Sequence, residues 1–138
     1  MIKSPYEKLD GLVYLPRMLQ KIRLQASGEL PEDYFPYLGT GFDGRCVDFL
    51  QVDYDALKAF VLEGASEAEI LEWLRQHGAT RTEDEKLIWN EFMIKRGWRD
   101  SPPQVDAFQN YKEKYGYGDR KDILTYFEFF EVDEGRAE

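Results

Sequence analysis

The chain contains one cysteine, Cys46, and one histidine, His77, among its 138 residues. A single cysteine excludes an internal disulfide and fits a reducing cytoplasm, which is therefore the location we expect. A structural zinc site needs several Cys or His ligands at short spacings, so none is expected. The apolar residues near Cys46 favour a buried thiol, and His77 has no catalytic partner that the sequence places beside it.

Positive charge is also scarce. Lys and Arg number 18 against 27 Asp and Glu, which gives a net charge of −9. Nucleic-acid binders use basic side chains to displace counterions, so no nucleic-acid partner is expected. No apolar stretch approaches the roughly 18 residues of a membrane-spanning helix, and no signal-peptide core follows Met1, so no membrane partner is expected either.

The acidic residues do not follow a metal-binding pattern. Asp48, Asp53 and Asp55 could supply oxygen ligands to Mg²⁺ or Ca²⁺, but their spacing is not that of a calcium loop. Asp53 is better interpreted as a helix N-cap, and Asp55 as a first-turn residue that suits the helix dipole. We therefore predict no metal and no cofactor.

Apolar and aromatic residues, in contrast, are plentiful. The chain is 43% hydrophobic and carries three Trp, nine Tyr and nine Phe. This composition is globular, and the length fits a single domain over 1–138. We expect an ordered core over about 5–131 and a polar tail over 132–138.

Local signals predict an all-α domain of about six helices. Apolar residues recur at helical spacing over 15–27, and the segments 66–69 and 82–85 are S/T-x-x-E capping boxes before apolar helical stretches. The last helix is predicted to begin after Asp119 as its N-cap and to bury a stripe that includes Ile123 and Leu124.

The segment 29–52 combines helix breakers with large apolar side chains. Its prolines and glycines disfavour a helix and a central strand, while its aromatic residues argue against disorder, so we predict a long ordered aromatic and glycine-rich loop. Residues 39–44 match G-x-G-x-x-G, but a nucleotide site needs a preceding strand and an adjoining helix, and Asp43 would repel phosphate. Glycines in turns with positive φ are the preferred interpretation.

A pair of like charges marks the first predicted helix. Arg17 and Lys21 stand four residues apart, where they repel each other unless an anion lies between them. Arg45, in the glycine-rich segment, is a third candidate donor to a carboxylate or phosphate. Tyr34, Tyr37 and Phe42 are candidate walls of the same site. The alternative is that the cations form internal ion pairs with Asp43 or Asp48.

Three stretches resemble one protein family: LDGLVYLPRMLQKIRLQASGELPEDY, GTGFDGRCVDFL and DRKDILTYFEFFEVDEGR. The resemblance extends from about Ser4 to Arg136 and is to small bacterial proteins known as domain of unknown function 5069. It implies a single-domain bacterial protein without an established activity, cofactor or partner, so no catalytic residues carry over. Gln20 and Gln25 stand where relatives tend to carry Asp and His, which disfavours a mechanism based on those positions.

The sequence thus predicts a small-molecule binding domain that holds an anionic ligand in a cleft between the first helix and the segment 29–52. A protein–protein interaction module, monomeric or homodimeric and without a ligand, is the alternative. An enzyme is a third possibility, but no His–nucleophile pair or metal cluster suggests a reaction.

Overall fold

A short hairpin leads into the first helix. The computed structural model describes residues 2–138, and in it β1 (Lys8–Leu9) pairs antiparallel with β2 (Leu12–Val13), Lys8 opposite Val13. Tyr14 follows with φ 75°, in the left-handed region that bulky residues rarely adopt. This backbone conformation turns the chain from the hairpin into the helix.

Helices make up most of the remaining chain, which confirms the all-α prediction. Their bounds are α1 (Leu15–Ala26), a 3₁₀ helix (Glu32–Tyr37), α2 (Gly41–Leu50), α3 (Tyr54–Leu62), α4 (Glu67–His77), α5 (Glu83–Lys95), α6 (Pro102–Lys114) and α7 (Tyr126–Asp133). The predicted N-caps Asp53, Ser66 and Thr82 each accept a hydrogen bond from a first-turn amide, and Ser66 and Thr82 form full capping boxes. No helix among residues 2–138 is both long and apolar enough to cross a bilayer.

The core surrounds α1. Its residues Leu15, Met18 and Ile22 are fully buried, and α1 packs against α3 while α5 packs against β2 and α7. Burial of such a side chain stabilises the fold by about 1.5–3 kcal/mol. A smaller cluster around Phe108 and Phe129 joins α6 to α7.

The predicted loop over 29–52 is partly wrong, because its second half is the ten-residue helix α2. Burial of Cys46, Val47 and Leu50 outweighs the roughly 1 kcal/mol that each glycine costs in a helix. Gly44 lets α2 pass close to the preceding turn, because a Cβ there would lie 3.3 Å from the carbonyl oxygen of Gly39, tighter than an ordinary contact. Gly39 itself has φ 72°, as the turn interpretation predicts.

The two ends of the last helix also differ from the prediction. The residue that caps α7 is Thr125, whose side chain accepts from the Glu128 amide, and the segment after Asp119 forms turns instead. Both predicted stripe residues lie in this non-helical segment, where Ile123 is buried and Leu124 is exposed. At the other end α7 runs to Asp133, so the predicted polar tail over 132–138 begins inside the helix.

Candidate ligand cavity

A cavity of about 300 Å³ lies between α1, the 3₁₀ helix, α2, α6, α7 and the end of α5. This volume is at the lower end of the range for small-molecule sites. The lining includes all six residues that the sequence predicts for the ligand site: Arg17, Lys21, Arg45, Tyr34, Tyr37 and Phe42. The structure thus brings them together, and their role in binding stays a prediction.

The floor of the cavity is set by one face of α1. Tyr14, Arg17 and Lys21 follow one another at helical spacing, so their side chains share this face next to the apolar stripe. The unusual backbone of Tyr14 brings its ring into this row, where it is buried. We use the term floor for these three residues with their carboxylate partners, Asp43 and Glu134.

Arg17 is held by the C-terminal segment. Its guanidinium donates to both carboxylate oxygens of Glu134, at 2.7 and 2.6 Å, and to the Lys3 carbonyl oxygen at 3.1 Å. Tyr34 donates to the same carboxylate at 2.8 Å, and the Arg17 guanidinium carbon lies 4.5 Å from the Phe130 ring centroid. Glu134 therefore belongs to the site and not to a free tail, because it neutralises a fully buried arginine.

The pKa values in this pair favour the charged forms. Burial acts to raise the pKa of Glu134, but hydrogen bonds and the charge of Arg17, helped by Arg136 and Tyr34, outweigh it, and the pKa is lowered. Burial likewise opposes the charge of Arg17, yet Glu134 raises the pKa of Arg17 above its usual value. Within residues 2–138, Arg17 Nε is buried without a hydrogen-bond partner.

Lys21 is held by α2. Its Nζ lies 2.9 Å from Asp43 Oδ1 and donates to the Tyr14 hydroxyl at 2.9 Å, while that hydroxyl donates to Asp43 Oδ1 at 2.6 Å. Asp43 Oδ2 accepts from the Gly39 amide at 3.1 Å. Burial lowers the pKa of Lys21 against the opposing effect of Asp43, and burial, with Asp43, raises the pKa of Tyr14. The predicted alternative of an ion pair with Asp43 is therefore confirmed for Lys21.

Two further arginines lie at the mouth of the cavity, which we call the rim. Arg45 on α2 is exposed, and its guanidinium carbon is 5.0 Å from the centroid of the Phe92 ring. It has no salt bridge within the described part of the chain. Arg96, just after α5, is half-buried and lies 5.3 Å from the same ring. It contacts Asp100 at 3.5 Å and donates to Gln104 at 2.8 Å.

The walls are aromatic. The Phe42 ring meets the Tyr126 ring edge-on at 5.4 Å and the Phe130 ring at 6.0 Å. Tyr111 lies 5.3 Å from Tyr126 and 6.1 Å from Tyr37. Rings that hold one another in this way form a stiff apolar surface that suits a flat ligand.

The other residues that the sequence offers for catalysis or metal binding lie outside this cavity or have no chemical activation. His77 stacks on Trp73 with ring centroids 4.4 Å apart, and its Nδ1 is bonded to the Trp73 carbonyl oxygen. Cys46 is buried, and its burial raises the pKa of the thiol well above the usual range, which disfavours a nucleophilic thiolate. No cluster of three His, Cys, Asp or Glu residues that could hold a metal occurs within residues 2–138.

Sequence reasoning missed several lining residues, among them Tyr14, Arg96, Tyr111, Tyr126, Phe130 and Glu134. Most of them lie on α6 and α7 or next to them, far along the chain from α1. Local spacing carries no signal for such contacts. The prediction of a free tail also directed attention away from Glu134.

The model of a protein family described as Domain of unknown function (DUF5069) matches residues 1–136. The chain belongs to this family. The match includes every element around the cavity of this DUF5069 domain and confirms the resemblance found in the sequence. A comparison with curated proteins finds no significant match.

Proposed function

We propose that this DUF5069 domain binds a small anionic molecule in the cavity. The observation that carries the proposal is a cavity with aromatic walls and, at its mouth, an exposed arginine, Arg45, that has no salt bridge within residues 2–138. Among residues 2–138, the cations that line the cavity are Arg17, Lys21, Arg45 and Arg96, and of these Arg45 has no ion pair to break when a ligand binds. Ligand sites typically combine such apolar walls with few polar groups.

A thermal-shift screen against anionic metabolites, each paired with a neutral amide or alcohol analogue, tests the proposal. A ligand at a hundredfold excess over its Kd stabilises the native state by about 2.7 kcal/mol, which raises the Tm by several degrees. We expect shifts with anions and none with their neutral analogues. Amide NMR shifts at Thr40 and Gly41, which line the cavity, then locate the site. Absence of any shift with all anions would overturn the proposal.

A second candidate function, self-association, is favoured by the outer face of α5. Ile88 is 63% exposed, Leu87 56% and Phe92 38%, so apolar side chains of this helix face solvent. The helix begins with Glu83, Asp84 and Glu85 and ends at Lys95. Two copies of α5 packed antiparallel would bring the acidic start of each against the basic end of the other, around an apolar centre.

Analytical ultracentrifugation of the wild type and Ile88→Glu tests this second candidate. A wild type that sediments as a dimer at micromolar concentration, and a folded Ile88→Glu variant that sediments as a monomer, would support it. A control on another exposed apolar residue, Leu62→Glu, should leave the dimer intact. A monomeric wild type at about 100 μM would exclude a stable dimer through this face.

A further inference from the structure

The floor of the cavity is already neutralised from within the chain. Arg17 is paired with Glu134 and Lys21 with Asp43, and all four side chains are at most 8% exposed. A ligand anion that displaced either carboxylate would leave that carboxylate buried without its partner, which is strongly unfavourable. The floor therefore offers a ligand a polar but electrically balanced surface.

The rim has the opposite character. The guanidinium carbons of Arg45 and Arg96 lie 5.0 and 5.3 Å from the Phe92 ring centroid, which places them at most about 10 Å apart. Among residues 2–138, Asp100 is the only carboxylate that pairs with either of them, at 3.5 Å from Arg96. The exposed guanidinium of Arg45 can exchange water for a carboxylate or phosphate at little cost and bind it with two parallel hydrogen bonds. Arg96 is less accessible, because its side chain is 17% exposed and also contacts Asp100 and Gln104.

Tyr126 adds a hydrogen-bond donor to the rim. The ring of Tyr126 is half-buried against Phe42, Phe108 and Tyr111. Burial raises the pKa of Tyr126, and the nearby positive charge of Arg96 partly offsets this rise. Tyr126 lines the cavity together with Arg45 and Arg96. Its phenol can thus donate to an anion bound at the rim while its ring forms part of the wall.

We infer that the ligand is an aryl acid, an aromatic ring joined to one carboxylate or phosphate group. The ring lies between the aromatic walls above the balanced floor, and the acidic group lies at the rim against Arg45 and Arg96. This inference rests on the proposed function and deepens it, because it assigns anion recognition to the rim cations and excludes Arg17 and Lys21 from direct contact with the anion. A cavity volume of about 300 Å³ accommodates a single ring with a short side chain.

Titration calorimetry with matched probes tests the ligand class. The carboxylate probe is 3-phenylpropionate, and its two halves are propionate, which lacks the ring, and 3-phenylpropan-1-ol, which lacks the charge. Phenyl phosphate and inorganic phosphate form the corresponding pair for a phosphate group. In at least one of the two pairs, we expect the aryl acid to bind at least tenfold more tightly than its partner without the ring. If the acidic group is a carboxylate, we also expect 3-phenylpropionate to bind more tightly than 3-phenylpropan-1-ol.

Variants of the rim locate the acidic group. Arg45→Ala and Arg96→Ala should each weaken the aryl acid at least tenfold, and Arg45→Lys should restore only part of the affinity because the planar fork is lost. The control is Lys95→Ala, which removes one positive charge from the end of α5. Because Lys95 does not line the cavity, this variant should change the Kd less than twofold. Circular dichroism confirms that each variant is folded.

Three outcomes would overturn the inference. Equal affinity for an aryl acid and its ringless partner, in both pairs, would show that the walls do not select a ring. Aryl-acid binding that is unchanged in both rim variants would place the anion elsewhere. If no aryl acid binds while the anion screen yields another ligand, the ligand class is wrong and the proposed function stands; if no anion binds at all, both fail.

Discussion

The floor and the rim of the cavity hold the same kind of side chain in different surroundings. Arg17 and Lys21 are buried, and each contacts a carboxylate within 3 Å. Within residues 2–138, Arg45 is exposed and has no salt bridge, and Arg96 has one longer salt bridge, to Asp100 at 3.5 Å. A buried cation requires an internal counter-charge for the fold to be stable, whereas a cation in water does not. The floor cations therefore need their internal partners, and under the proposed function the rim cations, Arg45 above all, are the ones that a ligand anion would meet.

The largest expected effect is at the floor. Asp43→Ala leaves Lys21 buried without its carboxylate and removes the acceptor of Tyr14 and of the Gly39 amide. Loss of one partner of a buried pair typically costs about 3–5 kcal/mol, so we expect the free energy of unfolding in urea to fall by that amount. Asp48→Ala, an exposed change on the same helix, should cost less than about 0.5 kcal/mol. Equal costs for the two variants would contradict the assignment of the floor.

Glu134→Gln should cost about 2 kcal/mol at pH 7, since an amide keeps the shape of the side chain but removes a charge-assisted bond to Arg17. The pKa of Glu134 is lowered in the folded state, so its stabilising contribution is full above the unfolded value of about 4.3 and is lost as the pH falls through the folded pKa. The stability gap between wild type and variant should therefore shrink in acid. Thermal melts between pH 7 and pH 3 measure it, and a gap that is constant with pH would refute the role of Glu134.

Tyr14→Phe should cost about 1–2 kcal/mol, because the lost hydroxyl bridges Lys21 and Asp43 in a buried setting. Tyr54→Phe is a suitable control: Tyr54 is a half-buried tyrosine whose hydroxyl has no hydrogen bond within the described residues. The control should change the free energy of unfolding by less than about 0.5 kcal/mol. Chemical denaturation of both variants decides whether the bridge contributes.

The smallest effect on stability is expected at the rim. Arg45→Ala removes an exposed side chain whose contact within residues 2–138 is with the Phe92 ring, so the free energy of unfolding should change by less than about 0.5 kcal/mol. The same denaturation experiment measures it. A loss of more than about 2 kcal/mol would mean that Arg45 stabilises the fold as the floor cations do, and the distinction between floor and rim would disappear.

Features that depend on residues close together in the sequence were predictable. Each predicted N-cap accepts a hydrogen bond from the amide three residues further on, as seen at Asp53, Ser66 and Thr82. The spacing of four residues between Arg17 and Lys21 likewise predicts that they share one face of a helix. Helix α2 was not predictable from propensity, because burial of Cys46 and its neighbours overrides the glycines. The Arg17–Glu134 pair was missed because it joins residues 117 positions apart, which no local pattern reveals.

That separation also has a consequence in time. Ribosomes add about 5–20 residues per second, so the carboxylate of Glu134 is synthesised roughly 6–23 s after the guanidinium of Arg17. Until then α1 carries a cation whose native partner does not yet exist, and the native floor cannot close on the nascent chain. We expect α1 to settle into its final packing only after translation has reached the last helix.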